Sequence, residues 1–352
     1  MRKLDCDCLR PLTEDEQETF RTFSNLLAGK EEGTASHLAF LSGPVSHDPG
    51  DGLFHWEEAC RIKEFPVNRE IGLARNPQTF ERVADAFAQA ANESRRGAPK
   101  QVSVIEIGAG LWEAVEMKTV PMIEALRAKG FEIAEYIVID PSKDCADAAA
   151  EGIGKLYNIP TRALHENFED VGQLNTSAIP VTMMWGPTIW NASKTPNILD
   201  ETVLQNQLKV AGAMTGGYMI STYYSSADRE VDAKAYNDER NLKLVKAVGH
   251  RIAHDLRGHT DFDPDTFEAA IEYVGNGVGR HRMRLVSKID QTIHLGSLTY
   301  NLRAGEGFTV NNSWRMDEPS FYRIAGRANL EIKSVEYDKA NAAGIFLAKH
   351  IS

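Results

Sequence analysis

Apolar and polar positions along the chain fall into short buried runs separated by amphipathic stretches, the signature of strands alternating with helices. Between Pro77 and Ala91, Phe80, Val83, Ala84, Phe87 and Ala91 recur at helical spacing and predict an amphipathic helix. A polar break (Ser94 to Pro99) precedes Val102–Ile107, a short β-rich run that leads into Gly108-Ala109-Gly110. A helix is predicted from about Glu113 to Ala128, stopped by Lys129-Gly130. Tyr136–Ile139 is a second apolar run ending at Asp140, and a helix over Ala146–Leu156 follows. Pro180–Trp185 and Gly217–Thr222 read as further buried strands. The alternation predicts an α/β fold built on a doubly wound parallel sheet.

The flanks differ. Residues 1–75 read as polar and irregular. The stretch from Ala227 to Asn276 is charged and helical, with a second helix start at Asp263-Pro264-Asp265, where Asp would cap and Pro take the first position. From Arg280 onward the pattern alternates as in strands, and two runs near the end, LEIKSVEY and GIFLAKHI, predict an antiparallel hairpin at a sheet edge. Two domains are expected: a core over 76–225 and 316–352, and a discontinuous α+β substrate domain from 1–75 and 226–315.

Charge narrows the partners. The 352 residues hold 39 Lys plus Arg against 50 Asp plus Glu, a net charge of -11, which argues against nucleic acid and against an anionic membrane surface. The longest charge-free runs, Val171–Ser193 and Val210–Ala227, are broken by Gly, Asn, Thr and Ser, so no membrane span is expected, and no secretory signal follows the opening basic pair. Four cysteines are too few for a disulfide framework, which makes the cytoplasm the expected compartment. His250 and His254 stand four apart but lack a third ligand, so no metal is expected. Arg280, Arg282 and Arg284 alternate on one strand face, expected to be solvated. Trp185, Trp190, Tyr223 and Tyr224 could line a pocket or pack in the core.

Candidate chemistry begins at the glycine turn. Glycines there let a ligand approach the backbone, and the helix that follows presents an electropositive end. Asp140, at the end of the next strand, can accept hydrogen bonds from ribose hydroxyls. A dinucleotide fingerprint wants Gly or Ala at position 113, where this chain has Glu113, an anion facing a pyrophosphate. S-adenosylmethionine (SAM) carries no phosphate and a sulfonium cation, so it suits Glu106 and Glu113 better. An NAD(P)-dependent oxidoreductase is the alternative.

Several segments resemble the histidine-specific type of SAM-dependent methyltransferase, the family of ergothioneine-pathway histidine Nα-methyltransferases and fungal dimethylallyltryptophan N-methyltransferases. Leu53-Phe54 with Ile62 to Arg69 is similar to its L-F…L-P-E-Y-Y-P-T-R segment, and Glu106–Gly110 to its E-L-G-S-G. Ile139–Ser142 is similar to its D-V-S, Trp185–Asn191 to F-L-G-S-T-I-G-N, and Lys234–Asp238 to A-A-Y-D-D. Asp261–Glu268 nearly repeats D-F-D-P-D-x-F-E. The resemblance implies a class I Rossmann-like methyltransferase core that uses SAM, releases S-adenosylhomocysteine, and needs no metal. It implies cofactor contacts at Glu106, Gly108, Gly110, Asp140, Ser142, Asn167, Phe168 and Gly186. It also implies Tyr236 and Asn191 as the catalytic pair at the amine, within a substrate site of Phe65, Asn191, Tyr236, Asn311 and Ser313.

The departures bear on the substrate. Lys118-Thr119 comes seven residues after Gly110, whereas the family's pair comes three after, as if a helical turn were inserted. The paired tyrosines become Phe65-Pro66, and the family's imidazole-gripping Glu becomes Asn311, while its Ser is kept as Ser313. A neutral amide cannot give the charge-assisted bond that a carboxylate gives an imidazole N–H. The expected reaction is N-methylation of a small amine, an amino acid or a derivative in secondary metabolism, and not histidine. A catalytically inactive, ligand-binding relative is a further alternative. Oligomeric state stays open.

Overall fold

The computed structural model describes residues 11–29, 52–94, 100–186 and 201–351. They divide into two compact units, one comprising Pro66–Trp190, Asp200–Val231 and Arg315–Ser352, the other Met1–Phe65, Asn191–Leu199 and Asp232–Trp314.

The first unit holds a seven-stranded sheet. In chain order come α3 (Pro66–Ala74) and α4 (Pro77–Ser94), after two helices of the other unit, α1 (Glu14–Leu27) and α2 (Gly52–Ala59). Then follow β1 (Gln101–Ile107), α5 (Trp112–Ala128), β2 (Glu132–Ile139), α6 (Lys143–Tyr157), β3 (Thr161–Leu164) and β4 (Ile179–Met184). After α7 (Glu201–Ala213) and β5 (Tyr218–Tyr223), the unit resumes with α10 (Glu318–Arg327), β11 (Leu330–Asp338) and β12 (Ala343–His350). Strand order is β11-β12-β5-β4-β1-β2-β3. Neighbours from β5 to β3 run parallel, while β12 is antiparallel to both β5 and β11.

Burial explains why the central strands were legible. β1 is buried from Val102 to Ile107, and β4 and β5 throughout, because helices cover both faces of a parallel sheet. Phe80, Val83 and Phe87 of α4 join Val115, Met122 and Ile123 of α5 in that core. A tight fit marks α6: a Cβ on Gly152 would lie 2.2 Å from Trp112 of α5, so only glycine admits the indole there. The order turns back between β1 and β4, which opens a crevice beyond their carboxyl ends.

The second unit packs α1, α2 and α9 (Glu239–Asp255), with α8 (Arg229–Tyr236) leading into them, beside a three-stranded sheet. That sheet, in order β10-β7-β6, is built from β6 (Phe267–Asn276), β7 (Val278–Ser287) and β10 (Gly307–Met316), and a separate hairpin pairs β8 (Gln291–Leu295) with β9 (Leu298–Leu302). Phe23 of α1, Ile252 of α9, Phe267, Leu285 and Val310 share its core.

Three expectations are corrected. Residues 1–75 are not irregular throughout: α1 to α3 fall there, α1 closed by a reciprocal cap between Thr13 and Glu16. Asp263-Pro264 caps one 3₁₀ turn, Pro264–Thr266, and β6 begins at once, because Phe267 onward pairs residue for residue with β7. The arginine face is not simply solvated: Arg280 is buried with its guanidinium 5.0 Å from the Trp314 ring centre, and Arg282 lies 3.1 Å from Glu272. Trp185, Tyr223 and Tyr224 are buried, whereas Trp190 lies outside the described residues. Among the described residues no helix is long and apolar enough to cross a membrane, and no cluster of three His, Cys, Asp or Glu could hold a metal.

Candidate active site

The bend after β1 is built by two glycines at positive φ, Gly108 at 67° and Gly110 at 66°, a region that disfavours side chains. The Gly108 N–H donates to the Ile139 carbonyl at 2.8 Å, which fastens the bend to the end of β2. Asp140 completes the arrangement: one carboxylate oxygen accepts the Gly110 N–H at 3.1 Å, the other the Ser142 N–H at 2.8 Å. Burial pushes the Asp140 carboxyl above the ordinary aspartate range, an effect those two amide donors partly offset. Among the described residues, a Cβ on Gly110 would meet nothing within 4 Å. Ser142 also caps α6, its hydroxyl accepting from the Cys145 N–H. Asn167 and the buried Phe168 sit in the turn after β3, at the same end of the sheet, since β3 runs parallel to β2.

Glu106 lies buried near the end of β1. Its two oxygens accept from the Tyr136 hydroxyl at 2.6 Å and the Thr119 hydroxyl at 2.7 Å, and Trp185 Nε1 in turn donates to Thr119 at 2.8 Å. The carboxylate thus joins β1, β2, α5 and the end of β4 beneath the bend. Burial raises the Glu106 carboxyl, and burial beside that carboxylate raises the Tyr136 phenol well above the ordinary tyrosine value.

A second buried carboxylate was not found from sequence. Glu70 on α3 lies 3.0 Å from the Lys118 ammonium and accepts the Gly186 N–H at 2.7 Å and the Tyr224 hydroxyl. The displaced Lys118-Thr119 pair therefore sits inside α5, Lys118 facing Glu70 and Thr119 facing Glu106. Gly186, at 74° in φ, is held at the end of β4 by that carboxylate. The one local signal was the offset of Lys118-Thr119, and it did not name Glu70.

The other unit gathers the remaining candidates. Tyr236, buried at the end of α8, has its hydroxyl 2.8 Å from the Ser313 hydroxyl on β10. The Phe65 ring lies 6.3 Å from the Tyr236 ring. Asn311, two residues before Ser313 and so on the same strand face, donates from Nδ2 toward Met283 Sδ at 3.6 Å. Its buried Oδ1 has no hydrogen-bond partner among the described residues. Asn191 lies outside the described residues.

A seven-stranded sheet with a single reversed strand, a glycine bend after β1 and a carboxylate ending β2 defines a class I SAM-dependent methyltransferase core. The chain belongs to the family described as histidine-specific, SAM-dependent methyltransferases, whose model matches residues 48–350. It is 24% identical over 284 residues to the uncharacterized protein y4iF of Sinorhizobium fredii, covering 79% of this chain and 89% of that one. Among solved structures it is similar to a SAM-dependent methyltransferase of Clostridium acetobutylicum (12% identity, TM-score 0.38, 76% of this chain and 91% of that chain). It is similar also to the sugar N-methyltransferase KedS8 of Streptoalloteichus (12% identity, TM-score 0.38, 89% and 96%). The fold assignment rests on the strand order itself.

Proposed function

We propose that this methyltransferase acts on the nitrogen of a small amine, an amino acid or a derivative other than histidine. The observation that carries this reading is Asn311 Oδ1, buried without a partner among the described residues and two positions along β10 from the Ser313 that meets Tyr236. A buried acceptor without a donor costs about 1–3 kcal/mol, a deficit that a substrate N–H or O–H would relieve. Because the amide is neutral, the position favours an uncharged donor over an imidazole that wants a carboxylate.

The cofactor side fits SAM. Asp140 has oxygens held in place by two backbone amides, each with a lone pair left for a ribose hydroxyl, and no described residue stands within 4 Å of a Cβ on Gly110, which suits the adenosyl group. Ser142, Asn167, Phe168 and Gly186 border the same strand ends. When bound, SAM supplies an electrophilic methyl group and leaves as S-adenosylhomocysteine. The protein's task is to present a neutral amine lone pair in line, so alignment contributes much of the rate. Tyr236, fixed by Ser313, orients the amine and passes its proton to water.

Labelled SAM offered with a panel of amino acids and amines tests the reading. The label is expected in a small amine, with histidine at background; preferential labelling of histidine, or of no amine, overturns it. In the same assay Tyr236→Phe is expected to slow transfer about tenfold, the loss of one orienting hydrogen bond. Calorimetry should find S-adenosylhomocysteine affinity changed by less than about twofold, and an equal fall in both quantities would contradict the assigned role.

A further inference from the structure

Beneath the Tyr236 ring lies a pair that neither the expected site nor the proposed reaction uses. The His281 imidazole of β7 stacks on the phenol with ring centres 4.6 Å apart and planes 23° from parallel. Its Nε2 lies 3.3 Å from a carboxylate oxygen of Asp232, which sits on α8 one turn before Tyr236 and so on the same helix face. Both are buried, His281 at 3% and Asp232 at 0% exposure. Tyr273, paired with His281 across β6 and β7, meets the imidazole edge-on at 5.0 Å. Its hydroxyl stands where a Cβ on Gly279 would be, 2.3 Å away. The imidazole is therefore confined on its face, on its edge and at one nitrogen.

Burying a carboxylate and an imidazole is costly, and apolar side chains would fill the same volume at least as stably. What apolar side chains would not do is fix the rotation of the imidazole plane. We infer that Asp232 and His281 are positioning residues for Tyr236: the carboxylate sets the plane of the imidazole, and the imidazole face sets the plane of the phenol. The phenol hydroxyl thereby stays directed at Ser313. The role rests on the proposed placement of Tyr236 at the substrate, but the geometry it claims can be read without a substrate.

Two readouts test it in the full chain: the ¹⁹F resonance of 3-fluorotyrosine at position 236, and methyl transfer to whichever acceptor the amine panel identifies. Asp232→Asn is expected to shift or broaden the resonance and slow transfer about tenfold, with S-adenosylhomocysteine affinity within about twofold. His281→Phe keeps an aromatic face but cuts its tie to Asp232, so it should shift the resonance and slow transfer about as much as Asp232→Asn, and His281→Ala, which removes the face as well, should lose more. In the His281→Phe background, Asp232→Asn should add nothing, since its path to Tyr236 is gone. Unchanged resonance and rate in Asp232→Asn, additive effects in the double variant, or a wild-type resonance and rate in His281→Phe would each overturn the inference. If Asp232→Asn does not fold, the Phe and Ala pair decides alone. If the panel yields no acceptor, the functional reading fails while the ¹⁹F arm still judges the pair.

Discussion

Glu70→Ala is expected to destabilise the sheet-bearing unit by about 3–5 kcal/mol, the cost of leaving one member of a buried ion pair without the other. The carboxylate it removes holds the Lys118 ammonium, the Gly186 N–H and the Tyr224 hydroxyl together. Lys118 and Glu70 side chains are 5% and 1% exposed, so water cannot replace the lost acceptor. A protein of this kind has about 5–15 kcal/mol in all, and the loss should appear as a clear fall in urea midpoint. Replacing both partners, as in Glu70→Leu with Lys118→Met, should recover part of that fall, because no uncompensated charge then remains buried. A midpoint equal to wild type in Glu70→Ala would show that the carboxylate does not hold these elements.

Asp140→Ala is the change expected to cost most in cofactor affinity. It removes the acceptor for the Gly110 and Ser142 amides, and in the proposed reading the acceptor for the ribose as well. Hydrogen bonds to a charged group contribute about 1.5–3 kcal/mol each, so affinity for S-adenosylhomocysteine should drop by about a hundredfold or more in calorimetry. The pH dependence has a definite sign. Burial raises the Asp140 carboxyl above its ordinary value of 3.8, so it takes up a proton sooner than an exposed aspartate as the solution is acidified. Affinity should therefore fall with decreasing pH at values where ordinary aspartates are still ionised, and Asp140→Asn should flatten that dependence. A wild-type profile in Asp140→Asn would assign the titration elsewhere.

The parts of the molecule legible in sequence are those whose physics is local. β1, β4 and β5 are buried on both faces and so read as continuous apolar runs, and a bend at positive φ announces itself by glycine. The position of Asp140 was legible because an apolar run ends on a carboxylate after such a bend, and the structure places it against the Gly110 and Ser142 amides. Glu70 was not. Within Pro66–Ala74 it looks like any charge on a short amphipathic helix, and only donors supplied from α5, β4 and β5 determine its burial. His281 was hidden in the alternation of Arg280, Arg282 and Arg284, its meaning set by Asp232 across the fold, although the Asp232–Tyr236 spacing was a local trace. Asp263-Pro264-Asp265 misled for the converse reason. The capping chemistry is genuine, but pairing along β7 from Phe267 onward outweighs continuation of a helix. Glu106 stands in sequence as an anion just before the bend, and its hydrogen bonds to Tyr136 and Thr119 come from other elements, which one strand pattern cannot reveal.

The reversed strand has a consequence for how the chain is made. β12 lies between β5 and β11, yet it leaves the ribosome long after β5. Until Ala343–His350 arrives, the backbone amides and carbonyls of Tyr218–Tyr223 on that side have no neighbour and offer a template to any extended segment nearby. Nascent chains stalled before Ala343 would thus expose a sticky rail to other unfinished polypeptides, and the eight residues of β12 serve as the seal that ends the hazard.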